Sequence, residues 1–188
     1  NAEILLLVEE IIDHSKMSLD PDAHTYFLIQ AAFVQLPALT EYLGQARALG
    51  TGRLAEAAAL RASPQAGREP ISADDRARMR SLIDATESLY SATARFLEKA
   101  IREAPHMKPR LDADLIAARE SGQRLLKRAR KEIIDAQTLT FDSSEYFKQY
   151  TQGMDDQFKL AASGTEVLKS ELDDKISGLR TNQLTLSA

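Results

Sequence analysis

Apolar side chains recur along this chain at intervals of three and four, the repeat of a helix that buries one face. No stretch of useful length alternates apolar with polar residues, so strands find no support in the pattern. Five helical segments follow from the repeat and its punctuation. The first runs from Glu3 to Met17, with Ile4, Leu5, Leu7, Val8, Ile11 and Ile12 inward, and stops at Ser18-Leu19-Asp20-Pro21. Asp20 suits the cap of the second segment and Pro21 its first position, where a missing N–H costs nothing. That second segment places Phe27, Leu28, Ala31, Val34, Leu39, Tyr42, Leu43 and Ala46 on one face. Pro37 in its interior removes one hydrogen bond and crowds the preceding turn, which predicts a kink between Phe33 and Pro37. Gly50-Thr51-Gly52 is expected to loosen or break the helix before Leu54 to Leu60 resumes it, and Ser63 to Pro70 reads as a loop.

Ser72, followed three residues later by Asp75, resembles a capping box and opens the third segment. Met79, Leu82, Ile83, Thr86, Leu89, Tyr90, Thr93, Phe96, Leu97, Ala100 and Ile101 form its seam, the pattern of a rod packed nearly parallel to its neighbours. Pro105 and Pro109 mark a turn, and a fourth helix is predicted from Leu111 to Leu139. Asp142 with Glu145 signals the last and longest helix, with an inward stripe of Phe147, Tyr150, Met154, Phe158, Ala161, Thr165, Leu168, Leu172, Ile176 and Leu179. Helices of about 30 residues extend roughly 45 Å. The expected fold is therefore all-α: an elongated antiparallel four-helix bundle with an additional short N-terminal helix and a proline-kinked second helix, one domain over residues 1–188. Tyr26, Tyr42 and Tyr90 are expected as core residues whose hydroxyls reach water.

Composition agrees with this reading and narrows the chemistry. Tryptophan and cysteine are absent and only 6% of residues are aromatic, a mix that favours helices over sheets. Without cysteine, disulfides and thiolate metal sites are excluded. The 24 basic and 28 acidic residues leave a net charge of -4. The densest basic run, Arg124, Lys127, Arg128, Arg130 and Lys131, reads as a solvated helix face near a C-terminus rather than a nucleic-acid patch. No stretch reaches the roughly 18 apolar residues of a membrane span, and no signal peptide is visible. Asn1-Ala2 reads as the remnant of a cleaved expression tag, which would make the chain an excised fragment.

Candidate chemistry is sparse. A di-iron bundle needs paired Glu-x-x-His motifs; only His106, with Glu103, fits the spacing, and it lies beside Pro105 in a turn. No cofactor or metal site is expected. No Gly-x-Ser-x-Gly elbow, phosphate-cradling glycine loop or spaced acid–base pair occurs, so a non-enzymatic protein is expected. Asp20, Asp22 and His24 gather at one helix start, where they serve either as caps and dipole partners or as a cation site. The bend at Pro37 serves packing, or opens carbonyl groups towards a pocket between helices.

The run from Ser18 to Leu28, with Leu19-Asp20-Pro21-Asp22, Tyr26 and Leu28, resembles a segment in the ectodomains of bacterial methyl-accepting chemotaxis proteins. Leu36-Pro37 and Arg47-Ala48-Leu49-Gly50 extend the resemblance, which related sensor histidine kinases and some diguanylate cyclases share. It implies a ligand-sensing, extracytoplasmic region between two membrane spans of an inner-membrane receptor, working as a homodimer; the charge balance already argues against a nucleic-acid partner. The implied signal is a small shift of the last helix, whose stripe runs on through Leu184 towards the second span. The ligand is an unspecified small molecule or ion, and polarity near the motif selects Asp20, Asp22, His24, Tyr26 and Arg47 as its contacts. A cytoplasmic helical scaffold is the competing reading from another class; apolar spans flanking this region decide between them.

Overall fold

The computed structural model describes residues 22–62 and 71–186, the last six by their backbone alone. The predicted first helix, the Asp20–Pro21 cap and the Ser63–Pro70 loop fall outside the described residues. Everything described is helix, turn or short connection, with no strand among the described residues.

Four helical rods account for nearly all of the described residues. The first begins as α1, Ala23–Ile29, widens into a π-helical turn over Gln30–Gln35 and continues as α2, Leu36–Ala62. α3 is Ala73–Glu103, followed by a single 3-10 turn at Pro105–Met107. α4, Lys108–Ala129, ends in a second π turn at Arg130–Ile134, and α5 spans Ser143–Leu186. The predicted defect ahead of Pro37 is thus present as a widened turn. Proline cannot donate to the carbonyl four residues back, and the ladder adapts by one extra residue: the Leu36 N–H reaches Ala31 O instead of the usual partner.

Both cap signals hold. Ser72 Oγ accepts from the Asp75 N–H at 3.0 Å and its hydroxyl donates to Asp75 Oδ2 at 2.8 Å. Asp142 Oδ1 accepts from the Glu145 N–H at 2.8 Å. The hydroxyl of Ser72 holds the Asp75 carboxyl below the ordinary aspartate range, with Arg53 beside it adding to the effect.

Cross-rod contacts bring the described rods together. α5 meets α2 as Met154 faces Gly44 and Tyr146 faces Gly50. It meets α4 as Gly153 faces Leu125, and as Arg110 donates to Glu166 O. α3 meets α4 where Tyr90 lies on Gly122. α5 packs most extensively on α2 and α4, and α3 on α1 and α2, whereas α3 and α4 touch sparingly despite the short turn between them. Leu28, Leu36, Leu39, Leu43, Leu54, Met79, Ile83, Leu97, Leu111 and Ile133 are fully or nearly fully buried and form one contiguous core. Arg76 donates to Ile133 O and Ile134 O, and Arg61 to Leu139 O, satisfying carbonyls at and after the end of the fourth rod.

Four expectations are corrected. Gly50-Thr51-Gly52 does not break the second rod, which stays helical to Ala62. Gly50 is needed because a Cβ there would come within 2.5 Å of the Tyr146 ring. The fourth rod ends at Ile134 instead of Leu139, because the chain turns at Asp135. The stripe of α5 is offset from the predicted one. Its buried face is Tyr146, Tyr150, Gly153, Gln157, Leu160, Gly164, Val167 and Leu168, so Tyr150 and Leu168 are inward as predicted, while Phe147, Phe158, Ile176 and Leu179 are exposed. Two glycines and a glutamine occupy buried positions because neighbouring side chains approach the helix closely, Leu125 at Gly153 and Ala32 at Gly164. Finally, the Tyr90 hydroxyl is buried without a hydrogen-bond partner instead of reaching water.

Candidate functional site

The chain start selected by sequence is a real polar cluster, and it is larger than expected. Asp22 flanks α1 without capping it; the Thr25 hydroxyl donates to Asp22 O at 2.7 Å in place of a side-chain cap. The Asp22 carboxylate lies 2.9 Å from Lys175 Nζ on α5. One turn earlier on α5, Glu171 faces two imidazoles: His24 Nε2 at 3.2 Å from Oε2 and His106 Nε2 at 2.7 Å from Oε1. Glu171 therefore ties α5 to α1 and to the 3-10 turn at once, and each contact becomes an ion pair when its imidazole is protonated. Among the described residues, no group of three or more His, Asp or Glu side chains is arranged to hold a metal ion.

The other predicted contacts separate. Tyr26 is half-buried and sets its ring edge-on to Phe27, centroids 5.6 Å apart. Arg47 is 23 positions beyond His24, roughly 35 Å along the rod, and belongs to a different contact. Its guanidinium donates to Thr151 Oγ1 at 2.8 Å and lies 4.7 Å from the centre of the Phe147 ring. Asp20 lies outside the described residues. Asp22, His24 and Tyr26 thus share one end of the molecule, and Arg47 does not join them. The sequence reading missed Glu171, Lys175 and His106, although the Glu171–Lys175 spacing of one helical turn puts both on one face of α5.

The basic run on α4 disperses into pairs. Arg128 lies 3.0 Å from Glu132, Lys131 3.3 Å from the same carboxylate, and Arg130 2.6 Å from Glu87 on α3. The hydrogen bond that Arg130 donates to Glu87 pushes its guanidinium further towards its charged form.

A second site emerges where α3 and α4 part. Small side chains, Ser91 and Ala94 on α3 and Ala118 on α4, leave a cleft of about 430 Å³. Leu115, Leu126 and Leu160 give it an apolar wall, Gln157 and Thr93 a polar floor, and Glu98 and Arg119 a charged rim. Gln157 is only 1% exposed. Its amide nitrogen donates to Ala118 O at 2.9 Å and to Gly153 O at 3.3 Å, which fixes which end of the amide faces which way. Tyr90 closes one end, its ring against Gly122, and burial pushes its hydroxyl well above the ordinary phenol range.

No helix among the described residues is long and apolar enough to cross a membrane. No protein-family model, curated protein or solved structure matches this chain.

Proposed function

We propose that this chain is the extracytoplasmic ligand-sensing region of a bacterial transmembrane chemotaxis receptor, its rods forming an elongated antiparallel four-helix bundle that works as a homodimer. α5 is the output element. The observation that carries the reading is the position of α5. It is the longest rod, it packs along both α2 and α4, and Glu171 and Lys175 fasten it to α1 and to the turn after α3. Beyond Leu172 it continues as helix to Leu186 with Ile176 and Leu179 exposed, as a rod that hands a displacement onward would. The motif-like residues from Ser18 to Gly50 lend the family resemblance.

Such a device needs no catalysis. A ligand that favours one packing of α5 over another by a few kcal/mol shifts the population of the two states and so the output. A phosphatase-fusion topology assay on the full-length protein tests the reading: this region is expected outside the cytoplasmic membrane, between two apolar stretches of about 20 residues. A cytoplasmic location rejects it.

A further inference from the structure

We propose that the cleft between α3 and α4 is a binding site for a small organic cation, a primary amine with an apolar body. The floor decides the chemistry. The amide nitrogen of Gln157 is committed to Ala118 O, Gly153 O and, at 3.5 Å, Ser121 Oγ, while among the described residues nothing donates to its oxygen, and Gln157 lines the cleft. The Thr93 hydroxyl spends its proton on Leu89 O at 2.8 Å, so it too offers only lone pairs. A floor of acceptors in an apolar pocket asks for a donor, and a carboxylate placed there would meet oxygen against oxygen.

Of the two charged rim residues, Glu98 on α3 has the matching sign and Arg119 on α4 the opposite one, so the ammonium belongs on the Glu98 side. Glu98 lines the cleft and makes no ion pair among the described residues, whereas Glu87 on the same helix is held by Arg130. An ammonium group between the Gln157 oxygen and the Glu98 carboxylate gains charge-assisted hydrogen bonds in a partly desolvated place. Leu115, Leu126 and Leu160 then cover an alkyl or aryl body, the arrangement of an apolar cavity with a few convergent polar groups. Tyr90 offers no competing donor, because its hydroxyl is turned into the packing against Gly122. The site also explains a peculiarity of the fold: α3 and α4 are joined by the shortest connection yet stay apart where Ser91, Ala94 and Ala118 face one another.

The inference supplies the ligand class for the sensor reading and rests on that reading for its biological meaning, but binding is measured on the chain itself. Calorimetric titration at neutral pH with 1-aminobutane and 2-phenylethylamine, against butanoate and 1-butanol as matched controls, is the test. The amines are expected to bind and the acid and alcohol to fail. Glu98→Gln, at an exposed position that leaves the fold intact, should weaken amine binding about tenfold, and Ala94→Leu, which fills the cleft, should abolish it. Binding of butanoate as tight as that of the amine, amine binding unchanged in both variants, or no amine binding at all overturns the site. The topology assay fails separately: amine binding by a cytoplasmic protein rejects the receptor and keeps the site, and an extracytoplasmic protein deaf to amines rejects the site alone.

Discussion

Tyr146 is wholly buried and stacks on Tyr150 with ring centres 4.6 Å apart; its hydroxyl makes no well-formed hydrogen bond, only a contact with the Tyr150 hydroxyl. A buried hydroxyl without a well-formed bond costs stability, so Tyr146→Phe is expected to stabilise the protein by about 1 kcal/mol in urea denaturation. The same burial gives a signature at high pH. Burial raises the phenol pKa of Tyr90, Tyr146 and Tyr150 in the folded protein. The unfolded chain therefore loses these protons first as pH passes about 10, and stability falls with rising pH from there. Tyr146→Phe should flatten that alkaline decline, read as the melting temperature across the range. The neighbouring glycines make a matched pair of tests. A Cβ at Gly50 would meet the Tyr146 ring at 2.5 Å, and the ring is clamped by Tyr150, so Gly50→Ala should cost about 1–3 kcal/mol. A Cβ at Gly52 meets nothing within 4 Å, and Gly52→Ala should add about 0.5–1 kcal/mol.

At the scale of the element, the caps set where rods begin and what acid does to them. Ser72→Ala removes the acceptor for the Asp75 N–H and should cost about 1 kcal/mol at neutral pH. Because Asp75 has a lowered pKa, its contribution is complete above the free aspartate range and fades as pH falls through the lower folded value. The penalty of Ser72→Ala should accordingly shrink in strong acid, measured by urea denaturation at both pH values. These starts were legible in the sequence, since a cap is a local pattern. Most of the seam of α3 was legible too, because Met79, Leu82, Ile83 and Leu97 are all large apolar residues. The stripe of α5 was legible only in part, at Tyr150 and Leu168. Its buried face includes Gly153, Gln157 and Gly164, which earn burial from the shape of the opposite rod, and no reading of polarity along one helix contains that shape. The polar end was half legible. Asp22 and His24 stand beside a helix start, but their partners Lys175 and Glu171 lie at the far end of the chain, and a 147-residue separation between His24 and Glu171 leaves no local trace. The cleft was invisible for a related reason: it is defined by side chains too small to meet.

For the whole molecule, the ordering of α5 separates into a packed length and an exposed one. From Asp173 to Arg180 nearly every side chain except Lys175 is exposed. Replacing Ile176 and Leu179 with serine should therefore move the melting temperature by no more than about 2 °C, the expectation for surface residues away from the core. A larger loss, followed by circular dichroism, would assign the tail a structural role within the isolated domain. The widened turns at Gln30–Gln35 and Arg130–Ile134 carry a different implication, about how this molecule tolerates changes in length. Removing a residue from the middle of a helix swings everything beyond it by about 100°, which would carry His24 away from Glu171. A π turn already holds one residue more than the regular spiral needs. Losing Val34, together with Pro37→Ala so that the ladder can close, should let the first rod become an ordinary helix while both of its ends keep facing the neighbours they face now.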